Sequence, residues 1–144
     1  IYALSAYPAG KLSDRIPRHH LLALGMLLLA LACFVLAVAT NYWLLFFGIA
    51  LWGLHMGFSQ GILASMVADT ANPTYRGTAF GVFNLVSGLG LLLASAIAGA
   101  LWDFVSPSAS FVFGAVISIL SVILIISFAN SPSAGTSTRV TSMK

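Results

Sequence analysis

Four long apolar runs separated by short polar breaks dominate the chain. They cover residues 21–40, 42–68, 78–102 and 109–129. Crossing a hydrocarbon core takes about 20 apolar residues in a helix, so each run is long enough to span a bilayer. Helices are expected because lipid offers backbone N–H and C=O groups no partner. None of the runs shows the short alternating pattern of a membrane barrel strand. The breaks carry helix-stop and helix-start chemistry. In "TNYW", Asn41 offers a cap. In "DTANPTYRG", the Asn72–Pro73 step disfavours helix. In "DFVSPSAS", Ser106 suits an N-cap and Pro107 the first helical position. The stretch "NSPSAGTSTRVTSMK" is polar and rich in Ser and Thr, and reads as a disordered tail. The expected organisation is one helical bundle over 1–129 followed by a tail over 130–144. The opening "IYALSAYPAG" reads as the last turns of a helix already under way. The chain is therefore expected to be the carboxyl-terminal piece of something longer.

Composition agrees with a lipid solvent. The 144 residues are 60% hydrophobic and 6% charged, whereas a soluble domain carries about a quarter charged residues. The net charge of +3 comes from only six Lys and Arg. No broad basic patch exists to neutralise phosphates, which argues against a nucleic-acid partner. Lys11, Arg15 and Arg18 precede the first run, Arg76 lies between the second and third, and Arg139 and Lys144 lie in the tail. Four crossings put all six on one side, and the other two loops hold no Lys or Arg. By the positive-inside rule, loops 10–20 and 69–77 and the C-terminus are expected to be cytoplasmic. Tyr42, Trp43 and Trp102 then fall at the opposite interface, where aromatic rings concentrate. "GKLSD" at Gly10 and "GALWD" at Gly99 share the pattern G-x-L-x-D at opposite faces, as an inverted repeat would.

Polar groups inside the runs are few. His55 is the only ionisable group deep in any of them, and such residues are costly to keep in a membrane. An unperturbed pKa of about 6.5 suits it to proton transfer or substrate binding. The alternative is a neutral histidine donating one bond to a neighbouring helix. At 100° per residue, Gly53, Gly57, Gly61 and Ser65 form a small-residue stripe on the second run, suited to close helix approach. Trp52, His55 and Ser59 lie opposite that stripe. Gln60 leans toward the stripe, to bind substrate or join helices. Trp52 offers either a stacking surface or plain packing. On the third run, Gly77, Gly81, Asn84, Gly88 and Ser95 share a face opposite Val82, Val86, Leu89, Leu93 and Ile97. Asn84 is placed to bind substrate or to hold helices together. Cys33 is expected to be an inert buried thiol. His19 and His20 belong to the surface and His55 to the interior, so no metal site is expected. No Gly-rich phosphate loop or Ser-His-Asp arrangement appears, so neither a cofactor nor an enzymatic activity is expected.

The loop "GKLSDRIPR" gathers half of the chain's Lys and Arg. Gly10 allows close backbone approach. Asp14 is a lone acid among bases, able to sit at the positive N-terminus of another helix. Arg15 is expected to pair with Asp69, at the cytoplasmic end of the second run. Lys11 and Arg18 are expected to face water or headgroups. A simpler reading is a loop that is basic only to set orientation. The loop resembles the major facilitator superfamily signature G-x-L-[AS]-D-R-x-G-[RK] at Gly10, Leu12, Ser13, Asp14, Arg15 and Arg18, with Pro17 in place of the usual Gly. "VADTANPTYRGTAFGVFN", Val67 to Asn84, is similar to that family's loop into its eleventh helix.

This resemblance implies an all-α membrane protein. It would be a bundle of four transmembrane helices plus the end of a fifth, part of a twelve-helix fold, and would correspond to helices nine to twelve. The tenth and eleventh would line a cavity; the ninth and twelfth would face lipid. It implies a secondary transporter moving a small molecule, with possible coupling to protons, across a cell (inner) membrane. The missing amino-terminal half of the same protein would be a partner. His55, Asn84, Trp52, Ser59 and Gln60 would be the substrate or proton pathway. Gly10, Asp14, Arg15, Arg18, Asp69, Arg76 and Gly77 would form a gating lock. The alternative class is a non-transporting four-span scaffold or assembly subunit, which the glycine stripes would serve equally well.

Overall fold

The computed structural model of the chain describes residues 16–129 together with Tyr7, Lys11 and Leu12. The expected end of a preceding helix, the loop residues Gly10, Asp14 and Arg15, and the tail 130–144 lie outside the described residues. Four helices follow one another: α1 (Arg18–Ala37), α2 (Tyr42–Thr70), α3 (Arg76–Phe104) and α4 (Pro107–Ala129). All four are long and apolar enough to cross a membrane. Their 29 residues make α2 and α3 each about 43 Å long, well beyond a core of about 30 Å. α2 extends two residues past its expected C-terminal edge and α3 two residues past each of its edges, because polar side chains can continue a helix into the headgroup region.

Local chemistry sets the ends. Pro17 starts α1, and its carbonyl accepts from the His20 and Leu21 N–H groups. α1 stops at Ala37, three residues before the apolar run ends. Asn41 is extended, and its Oδ1 accepts from the Leu44 N–H at 2.8 Å, which caps α2. Between α2 and α3 the Asn72 side chain accepts from the Thr74 N–H at 3.0 Å and opens a 3-10 turn over Pro73–Tyr75. The Ser106 hydroxyl accepts from the Ala109 N–H at 3.1 Å, and Pro107 is the first residue of α4.

The core lies on α1, which packs along its length between α2 and α4. Its buried residues are Leu21, Ala23, Gly25, Ala30, Ala32, Cys33 and Val35. Most of these are small, so helices can approach from two sides. Leu24, Leu27, Leu31 and Phe34, with Val38 at its end, form the exposed apolar face of α1 on the side away from these contacts. α3 is the opposite case. None of its residues is buried, and it touches α2 and α4 over only a short length. Its connection to α4 is specific: the Ser110 hydroxyl donates to the Ala98 carbonyl at 2.8 Å, and Trp102 meets Phe111 edge-on at 6.3 Å.

Replacing Asn41 by Ala removes the cap of α2 and is expected to cost about 1 kcal/mol. A thermal melt of the purified protein in detergent checks this. An unchanged midpoint would show that water replaces the cap without loss.

Candidate functional site at the interface of the first two helices

α1 and α2 meet face to face at Gly25, which lies seven residues, or about 10 Å, into α1. The half-buried His55 ring of α2 reaches across, and its Nδ1–H donates to the Gly25 carbonyl at 2.8 Å. The Ser59 hydroxyl lies 3.0 Å from the same Nδ1 and is 2% exposed. A carbonyl oxygen can only accept, so Nδ1 carries the hydrogen. Ser59 then accepts a share of the same N–H. His55 and Ser59 are one helical turn apart and so present one face. Gly48 and Ile62 continue that face at spacings of seven and three, and both are buried.

The approach depends on glycine at position 25. A Cβ there would stand 2.6 Å from Ser59 Oγ, closer than unbonded atoms can rest. Gly48 plays the same part higher up, where a Cβ would lie 2.7 Å from Leu36 Cγ and Cδ2.

The stripe Gly53, Gly57, Gly61 and Ser65 is divided: Gly57 is buried. Gly61 has open space around it, and the Ser65 hydroxyl donates to the Ile62 carbonyl of its own helix. Trp52, His55 and Ser59 lie on the side that turns toward α1. The glycine beside His55 belongs to α1, inside "LALGMLLL", where a lone glycine in a leucine-rich run was the available signal.

The polar candidates do not form one cluster. His55 and Ser59 touch; Asn84 on α3 and Gln60 on α2 are exposed and stand apart. Trp52 lines an apolar cavity of about 500 Å³ with Leu29, Trp102, Phe111 and Phe113. At the opposite end, Arg18 forms an ion pair with Asp69. Asp69 thus meets the arginine on the first turn of α1, so Arg18 does not simply face water; the expected pairing of Asp69 with Arg15 lies outside the described residues. Arg76 opens α3, with Gly77 next to it, both exposed. The His19 and His20 rings lie 4.2 Å apart, tilted by 41°. Among the described residues no three His, Cys, Asp or Glu side chains come close enough to share a metal.

The Asp69 side chain is 60% exposed, so the ion pair is worth little. A double-mutant cycle with Arg18→Gln and Asp69→Asn should give a coupling of roughly 0.2–1 kcal/mol. It should shrink as salt is raised. A coupling well above that range would mean that the pair is shielded from water in the membrane.

Comparison with known proteins agrees with this arrangement of apolar helices. The sequence model of the Major Facilitator Superfamily matches residues 1–142. An uncharacterised MFS-type transporter of Methanocaldococcus jannaschii is 34% identical over 125 residues, covering 87% of this chain and 31% of that protein. The class B tetracycline resistance protein of Escherichia coli is 32% identical over 116 residues, covering 81% of this chain and 28% of that protein. The chromaffin granule amine transporter of Rattus norvegicus is 30% identical over 115 residues, covering 77% and 22% respectively. The chain thus spans less than a third of the length of each. With a match along nearly its whole length, this four-helix membrane-spanning chain belongs to the Major Facilitator Superfamily.

Proposed function

We propose that the chain is the carboxyl-terminal portion of a twelve-helix secondary transporter, which moves a small solute by alternating access. In this reading α1 to α4 are the ninth to twelfth helices, and loops 10–20 and 69–77 and the C-terminus are cytoplasmic. The observation that carries the reading is the family match over residues 1–142. The bareness of α3 supports it. A helix with no buried residue within the chain has both faces available, and the amino-terminal half of the protein would cover one of them.

His55 supplies the proton-coupling element of the proposal, and Asn84, Trp52, Ser59 and Gln60 complete the solute pathway. Asp14, Arg15, Gly10 and Arg18 form a cytoplasmic lock with Asp69, and by pseudo-symmetry Arg76 and Gly77 receive the matching loop of the other half. The Arg18–Asp69 pair supports the placement of charge at that end. The bond from His55 to Gly25 favours a second reading of the histidine, as a neutral join between helices.

Transport by the full-length protein in proteoliposomes separates the two. Replacing His55 by Ala is expected to abolish transport or flatten its pH dependence. Full, pH-dependent transport in that variant would make His55 structural. In the same system Asp14→Asn should weaken the outward-facing state by about 1–2 kcal/mol, through loss of a charge at a helix terminus. Labelling of cavity cysteines reads this directly, and unchanged labelling would remove Asp14 from the lock.

A further inference from the structure

We infer that Gly25 is a positioning residue for His55: its carbonyl holds the ring in the Nδ1–H tautomer, which leaves Nε2 as the atom that exchanges the proton or meets the solute. This rests on the reading of His55 as part of the proton pathway.

The geometry assigns the two nitrogens different tasks. Nδ1 lies 2.8 Å from the Gly25 carbonyl and 3.0 Å from Ser59 Oγ. Both acceptors serve one N–H, so Nδ1 has no free lone pair. No described residue forms a hydrogen bond with Nε2. A proton arriving there uses the Nε2 lone pair to form a second N–H and yields the imidazolium. Its departure restores the neutral ring. Nδ1–H donates to Gly25 in both states, so titration leaves the join between α1 and α2 unbroken. The neutral ring presents an acceptor to the solute, and the charged ring presents a donor.

Among the described residues no other charge stands close enough to do the positioning. Along α1 the nearest titratable groups to Gly25 are His20, His19 and Arg18 at the cytoplasmic end and Cys33 two turns the other way. α2 offers Asp69, fourteen residues from His55, and Tyr42, thirteen residues the other way. α3 carries Arg76 and Asp103 at its ends, and α4 has no Asp, Glu, Lys, Arg or His. Orientation of the ring therefore falls to the backbone carbonyl, and access to that carbonyl falls to the missing side chain at position 25.

The test follows from the same distances. A methyl group at position 25 meets Ser59 Oγ at 2.6 Å but Ser59 Cβ at 3.7 Å, an ordinary contact. Gly25→Ala must therefore part the helices or turn Ser59 away, whereas Gly25→Ala with Ser59→Ala fits and keeps the carbonyl bond. The full-length transporter is labelled with 15N-histidine in lipid, and the His55 signals are assigned by their loss in His55→Gln. Above the titration, Nδ1 is expected to be protonated and Nε2 bare. Gly25→Ala should mix the tautomers and lower transport about tenfold, the scale of one hydrogen bond. The double variant should restore the Nδ1–H tautomer; transport is compared only between the unmodified protein and Gly25→Ala, because Ser59 itself belongs to the proposed solute pathway. A protonated Nε2 with bare Nδ1 in the unmodified protein would overturn the proposal, as would an unaltered tautomer and transport in Gly25→Ala. If Gly25→Ala does not fold, the unmodified protein and the double variant still decide. The outcome is separable from the proton-coupling reading, because His55→Gln with an intact pH profile would end that reading while the spectra still report the tautomer.

Discussion

Close approach of α1 to its two neighbours is the contact on which the rest of the bundle depends. Apolar helices gain no hydrophobic drive toward one another in lipid, so their association rests on packing distance and on interhelical hydrogen bonds. Small residues allow that distance at three points. Gly25 lies under Ser59, Gly48 lies under Leu36, and Gly114 of α4 faces Cys33, whose sulfur would stand 3.2 Å from an added Cβ. Two of these contacts join α1 to α2 and the third joins it to α4. Only at such a separation can a short side chain such as His55 reach a main-chain carbonyl on the neighbouring helix.

The fourth helix of the group is held differently. α3 is joined to α4 through Ser110 and Ala98 and through Trp102 and Phe111, all near the turn between them. Elsewhere its glycines at 77, 81, 88, 90 and 99 face open space. The result is a tight trio with a loosely attached member. In the proposed transporter this member is the one that would meet the other half. The apolar cavity beside Trp52 occupies the room left where α3 stands away from the trio.

Charge is confined to the ends of the helices. Arg18 and Asp69 join α1 and α2 at one end, and His55 sits about 20 Å further along α2 at a helical rise of 1.5 Å per residue. An exposed ion pair and a half-buried hydrogen bond therefore bracket the same helix pair. The first is open to water and salt; the second is shielded and directional.

Local chemistry made much of this legible before any fold was seen. Run length and apolarity determined that four helices cross a membrane, because lipid leaves a backbone no other choice. Asn41, Asn72 and Ser106 act on amides two or three residues away, so the turns could be read directly. His55 stood out because ionisable groups are rare at that depth. The choice of packing face was not legible. It turned on Gly25 of α1 and Gly48 of α2, neither of which belongs to the more conspicuous stripe Gly53, Gly57, Gly61 and Ser65. The ion pair of Asp69 with Arg18 was likewise decided by the first turn of α1, which brings that arginine to the end of α2. Sequence by itself determined the elements, their ends and the depth of each polar group, since those depend on neighbours along the chain and on the solvent. Tertiary structure alone decided which faces meet and which nitrogen of His55 is engaged, since those depend on distances between helices that differ by tenths of an ångström.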